Sequence, residues 1–167
     1  MTDDQRIHPS TTAGDRPSLT GFLDYQRATL AMKCQGLSGD QLKLTAVPTS
    51  GLSLLGLVRH LAEVERSWFR AVLNGEDCPS FWPRINNEFA EFHVENADTD
   101  EAFAFWRQSC EESDAAAAAV ADLDTPVGYR DEAYTLRYIL THMIEEYARH
   151  NGHADLLREA IDGQVGE

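Results

Sequence analysis

Apolar residues recur at intervals of three or four positions along four long stretches of the chain, and this spacing predicts amphipathic α-helices. The predicted helices cover residues 18–35, 53–73, 99–123 and 135–161. No stretch shows the strict two-residue alternation of a half-buried strand, and the sequence contains no internal repeat. The pattern therefore predicts an all-α fold, a four-helix bundle with a long crossover connection.

The rest of the chain divides around these helices. Residues 1–17 are rich in Thr, Ser, Asp, Gly and Pro and are expected to form a flexible N-terminal segment, followed by the bundle over 18–163 and a tail over 164–167. A single domain of this length can bury its own core. Residues 75–98 contain two prolines and four large aromatic side chains without helical periodicity. Because such a long connection is unusual in a compact domain, we expect it to cover a site or to move.

The last predicted helix carries four polar residues on one face. At about 100° per residue, His142, His153, Glu146 and His150 fall within an arc of about 80°. Glu146 and His150 project into the apolar stripe, whereas His142 and His153 lie at its edge. Burying a carboxylate and an imidazole costs several kcal/mol unless they find partners. Because Glu146 and His150 are one helical turn apart, they have the spacing of two metal ligands on one helix.

A third ligand has to come from another helix, and His60 at the edge of the second helix's apolar stripe is the candidate. A set of His60, Glu146 and His150 leaves a fourth coordination position open, which is typical of catalytic rather than structural zinc. Three further residues of the last helix are expected to contact these ligands or to line the pocket, namely His153, His142 and Arg149.

Other interpretations of the same residues remain open. Glu146 can pair with Arg66 or Arg149 while His150 packs as an ordinary core histidine, so that the bundle binds no metal. A di-iron carboxylate site is excluded, because it needs Glu-x-x-His on each of two helices and this chain has a single Glu-x-x-x-His. The HExxH, GxSxG and glycine-rich phosphate-binding motifs are absent from the sequence.

Composition narrows the classes of partner. The net charge of −14 argues against nucleic acids and anionic membranes, both of which attract clustered Lys and Arg. The three cysteines are far apart and lack CxxC spacing, so we expect free thiols in a reducing compartment and a cytoplasmic protein. The N-terminus lacks the pattern of a targeting segment, and no apolar stretch is long enough to span a membrane.

The segments GLSLLGLVRHLAEVERSWF and THMIEEYARHNGHADLLREAIDG resemble the DinB-like superfamily, and within it proteins of the mycothiol-transferase type. The resemblance covers about residues 18–163 and implies a four-helix bundle with a divalent metal held by three side chains, commonly all histidine. His60 matches the ligand of the second helix and His150 the last ligand. Glu146 occupies a position where many members have histidine, and in this it is similar to the mycothiol-dependent maleylpyruvate isomerase.

The resemblance implies a function as well as a fold. It implies that zinc, with nickel or another divalent ion as the alternative, holds a low-molecular-weight thiol as a thiolate that attacks an electrophilic substrate. The expected outcome is thiol transfer or thiol-dependent isomerisation by a homodimer, and hydrolysis by a metal-bound water remains open. The alternative is a non-catalytic metal-binding or stress-response bundle that acts as a dimer.

Overall fold

The computed structural model describes residues 6–84 and 86–166. In chain order its elements are α1 (Asp15–Cys34), α2 (Gly39–Lys43), α3 (Leu54–Glu65), a π-helix (Arg66–Leu73), a 3-10 helix (Ala90–Phe92), α4 (Thr99–Ala119), β1 (Pro126–Tyr129), β2 (Glu132–Thr135) and α5 (Leu136–Asp162). The predicted all-α fold class is confirmed. Within the described ranges, no helix combines the length and apolar character that crossing a lipid bilayer requires.

Polar caps fix the ends of the helices that carry the candidate residues. The side chain of Ser53 accepts a hydrogen bond from the Gly56 amide at the start of α3, and Thr135 caps α5 in the same way. Such caps satisfy amides that have no partner within the helix. Gly163 ends α5 with a φ of 77°, a left-handed conformation that glycine adopts without strain.

Helix bounds depart from the prediction at two ends. α1 begins at Asp15 rather than at Ser18, so part of the predicted flexible segment is helical. α4 ends at Ala119, because Val120 takes up an extended conformation before the predicted end at Leu123. Residues 1–5 of the predicted N-terminal segment and residue 167 of the predicted tail lie outside the described residues.

The core lies between two helix pairs. α1 lies along α5, α3 lies along α4, and α3 also contacts α5. The large side chains buried between these helices include Leu23, Leu30, Leu54, Leu57, Leu61, Leu136, Ile139, Met143 and Tyr147. Burying each of the Leu, Ile and Met side chains stabilises the fold by about 1.5–3 kcal/mol. The same packing brings the central part of α3 close to the central part of α5.

α3 continues into a π-helix at a point where the sequence predicts uninterrupted α-helix. The wider winding is evident in the hydrogen bond from the Asn74 amide to the Phe69 carbonyl, which spans five residues at 3.2 Å. Phe69 and Leu73 are buried in the core, whereas Trp68 is partly exposed. π-helical turns occur frequently near functional sites.

The connection between α4 and α5 contains a β-hairpin, although no stretch of the sequence predicts a strand. β1 and β2 pair antiparallel, with Pro126 opposite Thr135 and Tyr129 opposite Glu132. Arg130 turns the chain with a φ of 55°. Strands of four residues are too short to produce a recognisable alternation, which explains the missed prediction. β2 ends at Thr135, which is also the N-cap residue of α5.

A buried polar network joins the four long helices. Arg27 of α1 donates two hydrogen bonds to the carboxylate of Glu65 on α3, at 2.8 and 2.9 Å. Tyr147 of α5 donates to the same carboxylate at 2.9 Å, and Trp106 of α4 donates to the Tyr147 hydroxyl at 2.9 Å. Because Glu65 is completely buried, these contacts satisfy a charge that water cannot reach. The network therefore fixes α3 and α5 relative to each other next to the candidate site.

Candidate metal centre

Three residues predicted as metal ligands converge between α3 and α5. His60, Glu146 and His150 each offer one ligand atom, and these atoms all lie within 4.8 Å of one another. His150 Nε2 is 3.4 Å from Glu146 Oε2, and the ring centroids of His60 and His150 are 4.9 Å apart. Two ligands at about 2.1 Å from a tetrahedral zinc ion lie about 3.4 Å from each other. The spacing and the donor types therefore fit a divalent metal ion.

His60 is held by two residues of the 3-10 helix. Its ring stacks on Phe92 with 5.2 Å between centroids, and its Nδ1 lies 3.4 Å from Oε1 of Glu91. Glu91 is only 5% exposed. Burial acts to raise the pKa of Glu91, but its hydrogen bonds with His60 and with the backbone, together with the positive charges of His60 and Arg59, outweigh burial, so the net pKa is lowered. A carboxylate at Nδ1 fixes the tautomer of the imidazole and leaves Nε2 for a metal.

Glu91 is not among the site residues that the sequence pattern predicts. It lies in the irregular connection 75–98, where no periodicity relates it to His60. The signal in the sequence was the mixture of acidic and aromatic residues over Glu88–Phe92, in a connection expected to cover a site. The expectation that residues 75–98 cover a site did not indicate which of these residues would contact His60.

The side chain of His150 is largely buried, with 12% of it exposed, and it contacts His153, one of the residues predicted to lie beside the ligands. Its Nδ1 lies 3.3 Å from Nδ1 of His153. Burial, followed by the charges of His60, His153 and Arg149, lowers the pKa of His150 to about 4. A neutral imidazole needs to lose no proton before it binds a metal near pH 7. The neutral imidazole of His150 is therefore in the form that a metal ion would bind.

The remaining predicted residues lie on the exposed side of the cluster. Glu146 and His142 have nearly equal side-chain exposures of 21% and 22%, so Glu146 is less deeply buried than the helical wheel predicts. The site reaches the surface of the bundle at this point, and His142 Nε2 lies 3.7 Å from Glu146 Oε1. Arg149 is exposed and pairs with Glu145.

Two cavities adjoin the irregular connection. A cavity of about 530 Å³ is lined by Arg59 and Trp82, and the Arg59 guanidinium lies 4.4 Å from the Trp82 ring centroid. A second cavity of about 870 Å³ is lined by Phe89 and by Phe92, the residue that stacks on His60. Cavities of 300–1,000 Å³ suit small-molecule ligands. The aromatic residues of the connection therefore line cavities, and the larger one includes the residue in contact with His60.

Neither Cys34 nor Cys110 provides an activated nucleophile. All three cysteines of the protein are free thiols. Burial raises the pKa of Cys34 to about 12, and burial together with the charge of Glu65 raises the pKa of Cys110 still further. A thiol with a raised pKa stays protonated near neutral pH and is unreactive.

The fold and the cluster together define a helical bundle with a His-Glu-His constellation suited to a divalent metal. The family model described as Mycothiol-S-transferase matches residues 18–163, which extend from α1 to the glycine that ends α5. The chain therefore belongs to the mycothiol S-transferase family, and the resemblance seen in the sequence is confirmed. None of the curated proteins compared with the chain matches its sequence.

Proposed function

We propose that this protein is a metal-dependent S-transferase that joins a low-molecular-weight thiol of the mycothiol type to an electrophilic small molecule. Membership of the mycothiol S-transferase family supports the reaction class. The observation that carries the proposal is the convergence of His60, Glu146 and His150 across two helices. A thiol-dependent isomerisation would use the same residues, since it also begins with attack by a thiolate.

The three converging residues would hold the metal, with zinc as the expected ion and nickel or another divalent ion as the alternative. Two imidazoles and one carboxylate suit zinc, and the carboxylate makes the set harder than three histidines would be. When bound, such an ion lowers the pKa of a coordinated thiol so that it is a thiolate near neutral pH.

The protein's own residues prepare the site for this chemistry. Glu91 accepts the hydrogen bond of His60 Nδ1, so the proton is kept at that atom and the lone pair of Nε2 is left for binding. His150 is neutral because burial disfavours its protonated form. Since the pKa values of Cys34 and Cys110 are raised, these two residues supply no thiolate near neutral pH, and in the proposed reaction the nucleophile is the thiol of the cosubstrate.

The cavities beside the 3-10 helix are the proposed binding region for the small molecules. Phe92 lines the larger cavity and also stacks on His60, which does not itself line it, so a molecule bound there would be one side chain away from a proposed metal ligand. We also propose a cytoplasmic location, because three unpaired cysteines suit a reducing compartment.

The proposal is tested with untagged protein and its alanine variants. We expect about one metal ion per chain in the wild type and less than about 0.1 in His60→Ala and Glu146→Ala, because removing one of three ligands leaves the site incomplete. The matched control is His8→Ala, which replaces an exposed histidine outside the cluster. The assay follows loss of a free low-molecular-weight thiol to an electrophile, with and without metal. Full metal content in both variants would overturn the ligand assignment.

The alternative function is a non-catalytic metal-binding or stress-response bundle that acts as a dimer. Two large apolar side chains are exposed on neighbouring helices, Phe22 of α1 at 50% and Leu156 of α5 at 58%. They favour a contact between the α1 and α5 surfaces of two copies of the protein. Two results together would favour this alternative. The protein would bind metal without consuming thiol in a metal-dependent reaction, and light scattering would give twice the monomer mass.

A further inference from the structure

A buried arginine with unused hydrogen-bond donors lines the smaller cavity. Arg59 of α3 is only 5% exposed, and it forms part of the wall of the cavity of about 530 Å³. Its Nη1 donates a hydrogen bond to the carbonyl of His93 at 2.7 Å, and its guanidinium faces the ring of Trp82. Its Nε is buried and has no hydrogen-bond partner in the described part of the chain. A buried donor of a charged group costs free energy until it finds an acceptor.

The unused nitrogens of Arg59 form the edge of the guanidinium that binds carboxylates elsewhere in this protein. In Arg27, Nε and Nη2 donate to the two oxygens of Glu65 at 2.8 and 2.9 Å. In Arg137, the same two nitrogens bind both oxygens of Asp124. Within the described ranges, Nη2 of Arg59 makes no hydrogen bond and, unlike Nε, is not closed to water. Arg59 therefore offers a vacant two-point site for a planar anion.

The acidic residues around Arg59 do not fully compensate its charge. Burial lowers the pKa of Arg59, and the charges of four neighbouring carboxylates offset this effect only in part. These carboxylates belong to Glu91, Glu101, Glu63 and Glu95. The guanidinium can therefore still accept an anionic partner.

The walls of the cavity are fixed to α3 on two sides. The backbone amide of Trp82 donates to the carboxylate of Glu63 at 2.9 Å, and the carbonyl of His93 accepts from Arg59. Because these contacts hold both sides in place, less conformational freedom would be lost when a ligand binds. The ring of Trp82 adds an apolar surface to the cavity.

The rim of the same cavity is acidic. Glu95, Asp98 and Glu101 line it and are exposed, and the carboxylate of Asp98 caps α4 by accepting from the Glu101 amide. These charges would repel a simple anion, whereas a molecule with an ammonium group beside its carboxylate would be attracted by both Arg59 and the rim. The α-amino acid group has this arrangement of charges, and the cavity has the size of a small-molecule site.

We propose that Arg59, together with Glu95 and Glu101, forms a binding site for the α-amino acid group of a small molecule. The carboxylate of the ligand contacts Nη2 first, and it reaches the buried Nε when a side chain of the cavity wall shifts. His93 and Glu95 line both this cavity and the larger one, so the remainder of the molecule can extend into the larger cavity. The inference rests on the proposed function only in treating this molecule as a substrate, because binding itself requires no metal.

The experiment titrates the protein with L-phenylalanine and with two matched probes. Phenylpropanoate lacks the amino group, and phenylethylamine lacks the carboxylate. Calorimetry measures the affinities, and nuclear magnetic resonance follows the Nε–H signal of Arg59, which is assigned by its absence from Arg59→Lys. We expect phenylalanine to bind at least about tenfold more tightly than either probe and to shift this signal, because each probe leaves one charged group of the site without a partner.

Three variants separate the two parts of the site. Arg59→Lys keeps the charge but loses the two-point geometry, so we expect at least about tenfold weaker binding of phenylalanine. The double variant Glu95→Gln with Glu101→Gln leaves the arginine in place. Because the rim charges are exposed, we expect the preference for phenylalanine over phenylpropanoate to fall about two- to fivefold. The matched control Glu111→Gln replaces an exposed carboxylate of α4 outside the cavity and leaves this preference unchanged.

The outcomes distinguish this inference from the proposed function. Equal affinities for the three probes, no binding of phenylalanine, or binding that leaves the Arg59 signal unshifted would overturn the inference. An unchanged preference in the double variant would overturn the role of the acidic rim. We expect His60→Ala to lose metal and to bind phenylalanine as the wild type does. Metal retained in His60→Ala would overturn the proposed metal centre, and the amino acid site would stand if phenylalanine still binds.

Discussion

The imidazole of His60 is contacted by residues from two other parts of the chain. Phe92 stacks on its ring and Glu91 lies at Nδ1, both on the 3-10 helix, while the ring of His150 on α5 approaches edge-on. Each contact restricts a different freedom of the ring, namely its tilt, its tautomer and its distance from the other ligands. The orientation of His60, a proposed metal ligand, therefore depends on Glu91 as much as on the backbone that carries His60.

Replacing Glu91 tests this dependence at the scale of one residue. In Glu91→Gln, the amide cannot supply the negative charge at Nδ1, so we expect metal affinity to fall by about 10–100-fold. Competition with a chromophoric chelator measures the change. The matched control is Glu88→Gln, since Glu88 is 71% exposed and pairs only with His93 among the contacts described. Equal affinities for Glu91→Gln and wild type would contradict the role of Glu91.

The titration of His150 gives a second residue-scale prediction, for the metal-free protein. Its pKa is about 4 in the folded state and about 6.5 in the unfolded chain, so the unfolded chain binds more protons between these values. The contribution of His150 to stability is therefore fully present above pH 6.5 and decreases as the pH falls towards 4. Urea unfolding at pH 7, 5.5 and 4.5 measures the trend. In His150→Asn we expect a smaller decrease over this interval, and an unchanged pH dependence would contradict the prediction.

At the scale of the elements, periodicity was informative where helices are long and amphipathic. It placed His60 on one helix and Glu146 with His150 on another, and the structure brings these three residues together. Periodicity could not find Glu91, because a short 3-10 helix in an irregular connection has no repeating pattern that relates it to α3.

The π-helix and the hairpin escaped prediction for related reasons. The sequence of residues 66–73 has ordinary helix formers without proline or glycine, so the wider winding arises from how the side chains pack rather than from composition. The hairpin consists of two four-residue strands that pair only with each other. The hydrophobic pattern of the sequence identifies long helices, because each has one apolar face. It does not identify short elements whose conformation depends on tertiary contacts.

The ion pair between α1 and α3 yields a prediction about element packing. Glu65→Leu would remove the buried carboxylate at Nε and Nη2 of Arg27 and leave only Asp114 and Asp24 at Nη1. Breaking a buried pair in this way costs about 3–5 kcal/mol. We expect the free energy of unfolding to fall by this amount in denaturant titrations. The double variant Arg27→Met with Glu65→Leu is expected to lose much less than the sum of the single changes, because no uncompensated charge remains. Additive losses would argue against a coupled pair.

At the scale of the whole molecule, the candidate metal centre links distant parts of the chain. His60 and Glu146 are 86 positions apart in the sequence, and α4 and the hairpin lie between them. An ion bound to both would connect α3 to α5 in the folded state and would have no comparable site in the unfolded chain. Metal binding should therefore stabilise the entire bundle rather than one helix.

Thermal unfolding with and without metal tests this expectation. Free metal at 100 times its dissociation constant stabilises the folded state by about 2.7 kcal/mol. For a chain of this size, each kcal/mol raises the melting temperature by about 2–4 °C. We therefore expect an increase of about 5–10 °C by circular dichroism for the wild type, and little or none for His60→Ala. A similar increase in that variant would place the stabilising ion elsewhere.

The distance along the chain between His60 and the pair on α5 also has a kinetic consequence. Helices form within microseconds from local contacts, whereas contacts between distant segments form later because a long loop must close first. If the proposed site is correct, Glu146 and His150 could contact an ion as soon as α5 forms, whereas His60 on α3 would join them only when the two helices dock. The onset of tight metal binding during refolding, followed with a metal-sensitive dye, would therefore report when α3 docks on α5.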